Sequence, residues 1–179
     1  MFKHALGSSA EMRKNMKNEM EIIFDAISDN EGFARVAVAA FVSHLNPTLE
    51  ELADIKTAVS EAVTNSIIHG YENLYGYGRP GRAPADQIKT NPGKVQIKCL
   101  LEEDLLHIQV IDQGKGMDNV EQALEPLFTT KPELERSGMG FAFMEAFMDN
   151  LEVESFPKKG TVVHMSKKLG TGAWIEDEE

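Results

Sequence analysis

The chain has 179 residues, 42% of them apolar, which is enough for one domain with its own core and too little for two full ones. A formal net charge of −11 argues against direct contact with a nucleic-acid backbone, which needs a cationic footprint, and suits a partner with basic patches. The single cysteine, Cys99, excludes an internal disulfide, no apolar run approaches the ~20 residues that span a bilayer, and no secretory signal is visible, so the chain is read as cytoplasmic and free of the membrane.

Residues 1–15 show no clear period and read as a leader or disordered tail ahead of a domain spanning 16–168. Met20, Ile22, Phe24 and Ala26 alternate as in a strand. Asn30 is a candidate cap for a helix with apolar positions Phe33, Val36, Ala37, Ala40 and Phe41, ending before Asn46-Pro47. Thr48 and Glu51 form a capping-box pattern at the start of a long helix with Leu52, Ile55, Val59, Ala62 and Val63 on one stripe, ending near Gly70. Residues 71–93 are rich in Gly and Pro, hold all three tyrosines and read as a long loop. Val95, Ile97, Cys99 and Leu101 alternate, Glu102-Glu103-Asp104 turns the chain, and Leu106, Ile108 and Val110 alternate back, which predicts a hairpin. From about 117 to 140 there is little periodicity. A helix is predicted over 141–150, then strands over 151–156 and 161–167 around the turn Pro157-Lys158-Lys159-Gly160. Residues 169–179 form an acidic tail. Strand, two helices, hairpin, helix, hairpin is the order of an α+β fold: a two-layer sandwich with one mixed, mostly antiparallel sheet and helices on one face.

Three stretches carry candidate chemistry. In the buried second half of the long helix, Glu61, Asn65 and His69 recur at steps of four and so share a face, their Cβ atoms about 5–6 Å apart. A carboxylate and an amide oxygen facing a cleft suit Mg²⁺, which prefers oxygen and keeps part of its water shell; the same spacing also fits an ordinary solvated face. Asp112-Gln113-Gly114-Lys115-Gly116 places a carboxylate at the end of a buried strand, followed by glycines that admit a ligand ring close to the backbone; it also fits a plain turn. Arg136-Ser137-Gly138-Met139-Gly140 precedes a helix, where exposed N–H groups and the helix dipole favour an anion; it also fits a flexible helix entry.

In this order the three stretches resemble the N box and the two glycine boxes of the Bergerat-fold superfamily of ATPases and kinases, with Thr161 after Gly160 similar to that superfamily's adenine-side threonine. Residues 60–71 and 126–141, with Phe33-Ala34-Arg35-Val36 in the first helix, further resemble the anti-sigma-F family of spore-forming bacteria, over about 16–168 and interrupted by 71–93. The resemblance implies an ATP- or ADP-binding protein that uses Mg²⁺, binds a sigma factor, phosphorylates a serine of an anti-anti-sigma protein and forms a homodimer. It implies Glu61 as catalytic base and Asn65 as the Mg²⁺ ligand. It assigns Asp112 to the adenine amine, supported by Gly114, Gly116 and Thr161, and the phosphates to Arg136, Gly138 and Gly140, with Thr130 and Ser137 as further nucleotide contacts. Residues 117–139 become a lid over the nucleotide, and Arg35 a partner contact. His69 is read either as a lid contact or as a cap on helix carbonyls. The competing readings are a nucleotide-binding anti-sigma module without kinase activity and a histidine-kinase-like ATPase domain.

Overall fold

A computed structural model describes residues 17–71, 91–125 and 139–170. Strand β1 (Lys17–Asp25) leads into helix α1 (Asp29–Val42) and, after a short 3₁₀ turn, helix α2 (Leu49–Asn65). Strands β2 (Lys94–Glu102) and β3 (Leu105–Asp112) follow, then the short helix α3 (Val120–Leu124), helix α4 (Gly140–Phe147), and strands β4 (Asn150–Phe156) and β5 (Gly160–Lys168). The strands form one sheet in the order β1-β2-β3-β5-β4, and all four pairings are antiparallel. The expected α+β two-layer sandwich is therefore the observed fold, with a sheet that among the described strands is wholly antiparallel rather than mixed.

One face of the sheet is apolar because the strands alternate. Val95, Ile97, Cys99 and Leu101 of β2, Leu106, Ile108 and Val110 of β3, and Val163 and Met165 of β5 are buried against the helices. Burial pushes the Cys99 thiol up to about 12, so it is an inert core residue. Helix α2 packs between α1 and α4 through Ile55, Ala58, Val59, Ala62 and Val63, none of them solvent-accessible. Its start is fixed by a complete capping box: Glu51 N–H donates to Thr48 Oγ1 (3.1 Å) and Thr48 N–H to Glu51 Oε2 (2.6 Å).

Four expectations need correction, and one helix was not expected. The buried stripe of α1 is Ala34, Val38 and Val42, whereas Phe33 and Val36 are exposed and Ala40 faces outward. Asn30 is not the cap: Ser28 holds that position, and the Asn30 amide donates instead to the Asp25 carbonyl at 2.8 Å. The fourth helix ends at Phe147, because β4 begins at Asn150 to pair with Ser166. A short helix missed by periodicity, α3, is capped by Asn119, whose side chain accepts from Gln122 N–H at 3.0 Å. Leu169, assigned to the tail on sequence, is buried in the core and donates its N–H to the Asp104 carbonyl at 2.8 Å. Among the described residues no helix is long and apolar enough to cross a membrane.

Candidate functional site

The second half of α2 carries only small or β-branched residues on its buried side, so it lies close to α4 and the sheet. Its polar flank faces the first residue of α4. A Cβ added to Gly140 would sit 3.0 Å from Glu61 Oε2 and 3.3 and 3.4 Å from Asn65 Nδ2 and Oδ1. Glu61 and Asn65 thus converge on one glycine, as their spacing predicts, and a side chain at 140 would crowd the ends of both.

After Asn65 the regular helix stops. Ser66–Gly70 form a π turn, closed by Tyr71 N–H donating to the Ser66 carbonyl at 3.0 Å. The sequence reading ran an α-helix to about Gly70; the wider turn replaces its last residues. π turns of this kind recur at functional sites, because they re-aim side chains that α geometry would carry past. Here Asn65, Ser66, His69 and Gly70 all border one cavity.

The opposite wall is the end of β3. Asp112 is 4% exposed and lies across from Thr161 of β5 in the ladder. Its carboxylate accepts from Gly114 N–H at 2.9 Å, while the nearby Ser66 hydroxyl donates to the Ala62 carbonyl at 3.2 Å. Burial raises the Asp112 pKa above the ordinary carboxylate range, and the Gly114 hydrogen bond, with the polar Ser66 side chain and Thr161 backbone beside it, opposes the rise. A carboxylate has about four lone-pair directions, so acceptor capacity remains for a ligand donor. The loop that follows lies against the π turn: Lys115 N–H donates to the Gly70 carbonyl at 2.9 Å, and a Cβ on Gly114 would come within 2.4 Å of that same carbonyl. Gly116 has φ +67°, and a Cβ there would lie 2.0 Å from the Phe156 carbonyl oxygen. Both glycines are therefore required by contact rather than by loop flexibility.

Between these walls lies a cavity of about 490 Å³, within the usual range for a small-molecule site. Asn65 and Gly140 border it as one group, and Asp112, Gly116 and Thr161 as another. The Thr161 hydroxyl is held 2.9 Å from Ser155 Oγ. Among the described residues no three His, Cys, Asp or Glu side chains are grouped to hold a metal. The Asn65 amide oxygen is a hard donor, which suits an ion that takes most of its ligands from phosphate and water.

Of the residues predicted for the site, the structure brings together Glu61, Asn65, Asp112, Gly114, Gly116, Gly140 and Thr161. Thr130, Arg136, Ser137 and Gly138, and most of the expected lid, lie outside the described residues. Arg35 is on α1, where its Nη1 pairs with Glu31 Oε1 at 3.0 Å; Glu31 also accepts from the Ser60 hydroxyl, which ties α1 to the residue preceding Glu61. Sequence reasoning missed Ser66, Gly70 and Tyr71. Ser66 is a polar residue in a buried run, and Gly70 ends the helical pattern, so both had a signal; the Tyr71 contacts are long-range and had none.

A family profile described as a histidine kinase-like ATPase domain matches residues 28–167. The chain is 52% identical over 154 residues to the anti-sigma F factor of Bacillus licheniformis, covering 86% of this chain and 94% of that one. It is 52% identical over 162 residues to the anti-sigma F factor of Clostridium acetobutylicum, covering 90% and 99%. To that of Clostridium beijerinckii it is 54% identical over 152 residues, covering 85% and 95%. Among solved structures, the RsbU and RsbW domains of Rv1364c from Mycobacterium tuberculosis superpose with a TM-score of 0.55 at 20% identity, covering 85% of this chain and 32% of that one, a likeness of fold.

Proposed function

The chain belongs to the anti-sigma F factor family and carries a histidine kinase-like ATPase domain that binds ATP or ADP; from that premise we propose that it is a Mg²⁺-dependent protein serine kinase that also holds a sigma factor. The observation that carries this reading is the convergence of Glu61 and Asn65 on Gly140, where Asn65 and Gly140 border a cavity whose other wall is Asp112.

Each side chain takes the role its surroundings favour. Asp112 accepts a hydrogen bond from the adenine amine, with Gly116 and Thr161 shaping the base slot. Gly140, at the start of α4, presents backbone N–H to phosphate oxygen, and Gly138, Ser137, Arg136 and Thr130 complete the phosphate contacts. Asn65 would hold Mg²⁺, which supplies charge neutralisation on the phosphates. Glu61 accepts the hydroxyl proton of the acceptor serine while that oxygen takes the γ-phosphoryl group and ADP is released. Positioning and electrostatics account for most of such catalysis, since phosphoryl transfer needs little covalent help from the protein.

The partners of this reading are a sigma factor and an anti-anti-sigma protein whose serine is the acceptor, met by a homodimer in the cytoplasm. Arg35 supports it: its guanidinium is 44% exposed, and a planar fork suits a partner carboxylate. The test is phosphoserine formation on the anti-anti-sigma protein from labelled ATP and Mg²⁺. Transfer that is abolished in Glu61→Gln while ATP affinity is kept supports the reading. Transfer undiminished in that variant removes Glu61 from the chemistry, and no transfer in the native chain leaves a nucleotide-binding anti-sigma module.

A further inference from the structure

We propose that Tyr71 is the positioning residue of the base-reading corner, its hydroxyl standing in for the next rung of the β2–β3 ladder and so fixing the loop that carries Asp112; this rests on the reading of Asp112 as the adenine-amine acceptor. In the ladder, Val95 pairs with Asp112, so the next rung would join Lys94 to Gln113. The strands part there, and the Tyr71 hydroxyl fills the gap. It accepts from Gln113 N–H at 2.8 Å and donates to the Lys94 carbonyl at 2.6 Å.

Three further observations make this a built clamp. The Tyr71 ring lies where a Cβ on Gly93 would be, 2.4 Å from Cε1, so residue 93 has no room for a side chain. The backbone of Tyr71 closes the π turn on Ser66, which borders the same cavity as Asp112. Gly70, immediately before it, receives the Lys115 N–H. One residue therefore links the end of α2, the start of β2 and the end of β3 at the point where the Asp112 carboxylate is aimed. Burial, with the Asp112 charge nearby, holds the phenol pKa above its ordinary value, so it remains an O–H donor at neutral pH.

If the hydroxyl acts by aiming Asp112, its loss should be felt by a base with a 6-amino group and not by one without. ADP and IDP differ at that position, where IDP offers an oxygen. The experiment measures both dissociation constants by calorimetry for the native chain, Tyr71→Phe, and Tyr71→Phe combined with Asp112→Asn. Expected is a loss of ADP affinity of about three- to tenfold in Tyr71→Phe, the scale of one neutral hydrogen bond, with IDP affinity unchanged. The preference for ADP should therefore shrink, and Tyr71→Phe should add little once Asp112 is Asn. A Tyr71→Phe chain that keeps the native ADP-to-IDP ratio overturns the inference. A native chain with no preference for ADP overturns the reading of Asp112 itself, which is a distinguishable result. Amide exchange on the native chain gives a variant-free check: Gln113 N–H should be protected although it lies beyond the last rung, and exchange as fast as an open loop would also overturn the clamp.

Discussion

The two ends of helix α2 obey different rules. Its first turn is closed by the Thr48–Glu51 capping box, and its middle buries Ile55, Ala58 and Val59 in regular α geometry. Its last residues set Glu61 and Asn65 against Gly140, then widen into a π turn that borders a cavity. At the first end every backbone and side-chain preference agrees with the helix. At the second, polar groups are half-buried and the hydrogen-bond pattern is broken to aim them. Agreement across levels belongs to stability, and local departure from it marks the site.

That contrast is open to test, because the two ends should fail in different ways. The largest effect is expected at the second end: Glu61→Gln should lower phosphoryl transfer to the acceptor serine by about 10²- to 10⁴-fold with the melting temperature unchanged. A variant that instead unfolds early would make Glu61 a structural residue. Next in size, Ile55→Ala should destabilise the fold by about 2–5 kcal/mol, because a fully buried Ile leaves a cavity. Its kcat on folded protein should stay native, and a selective loss of kcat at full stability would break the division. Smaller again, Thr48→Ala removes a cap and should cost about 0.5–2 kcal/mol, a fall of about 2–4 °C in Tm per kcal/mol for a chain of this size. Denaturant melts of the three variants place them on one scale.

How much of this was legible in the sequence follows the same division. The capping box, the α2 stripe and the two hairpins are local patterns of period 3.6 or 2, and they emerge in the structure within a residue or two. Glu61, Asn65 and Asp112 were legible as polar residues at fixed steps within apolar runs. The α1 stripe differs because its apolar residues lie all round the helix, so periodicity alone fits more than one face, and the packed one is that of Ala34, Val38 and Val42. The π turn had no periodic signal, and the residue that closes it, Tyr71, is tied by its hydroxyl to Gln113, 42 positions away. The pairing of Gly70 with Gly114 is likewise a contact between distant backbones, invisible to any window along the chain.

The smallest expected effect sharpens the contrast from the side of cost. Asp112 ionises near 3.8 when it is solvated, and its pKa is raised in the folded chain because burial penalises the charge. Between those two values the folded state binds more protons than the unfolded one, so the stability contributed by this group declines as pH rises through the window. It is fully present below the unfolded value and gone above the folded one. Asp112→Asn cannot ionise and has no such dependence. The difference in unfolding free energy, native minus Asp112→Asn, should therefore fall with rising pH from 3.8 upward and then level off, in denaturant melts of the nucleotide-free protein. A difference that rises with pH would mean that the Gly114 hydrogen bond and the polar Ser66 and Thr161 groups beside it outweigh burial and that the carboxylate is at ease when charged. With ADP bound, the adenine amine is one more donor to the ionised form. The window should narrow from its upper end, so the nucleotide recovers part of what the empty site gives up by keeping a carboxylate in the core.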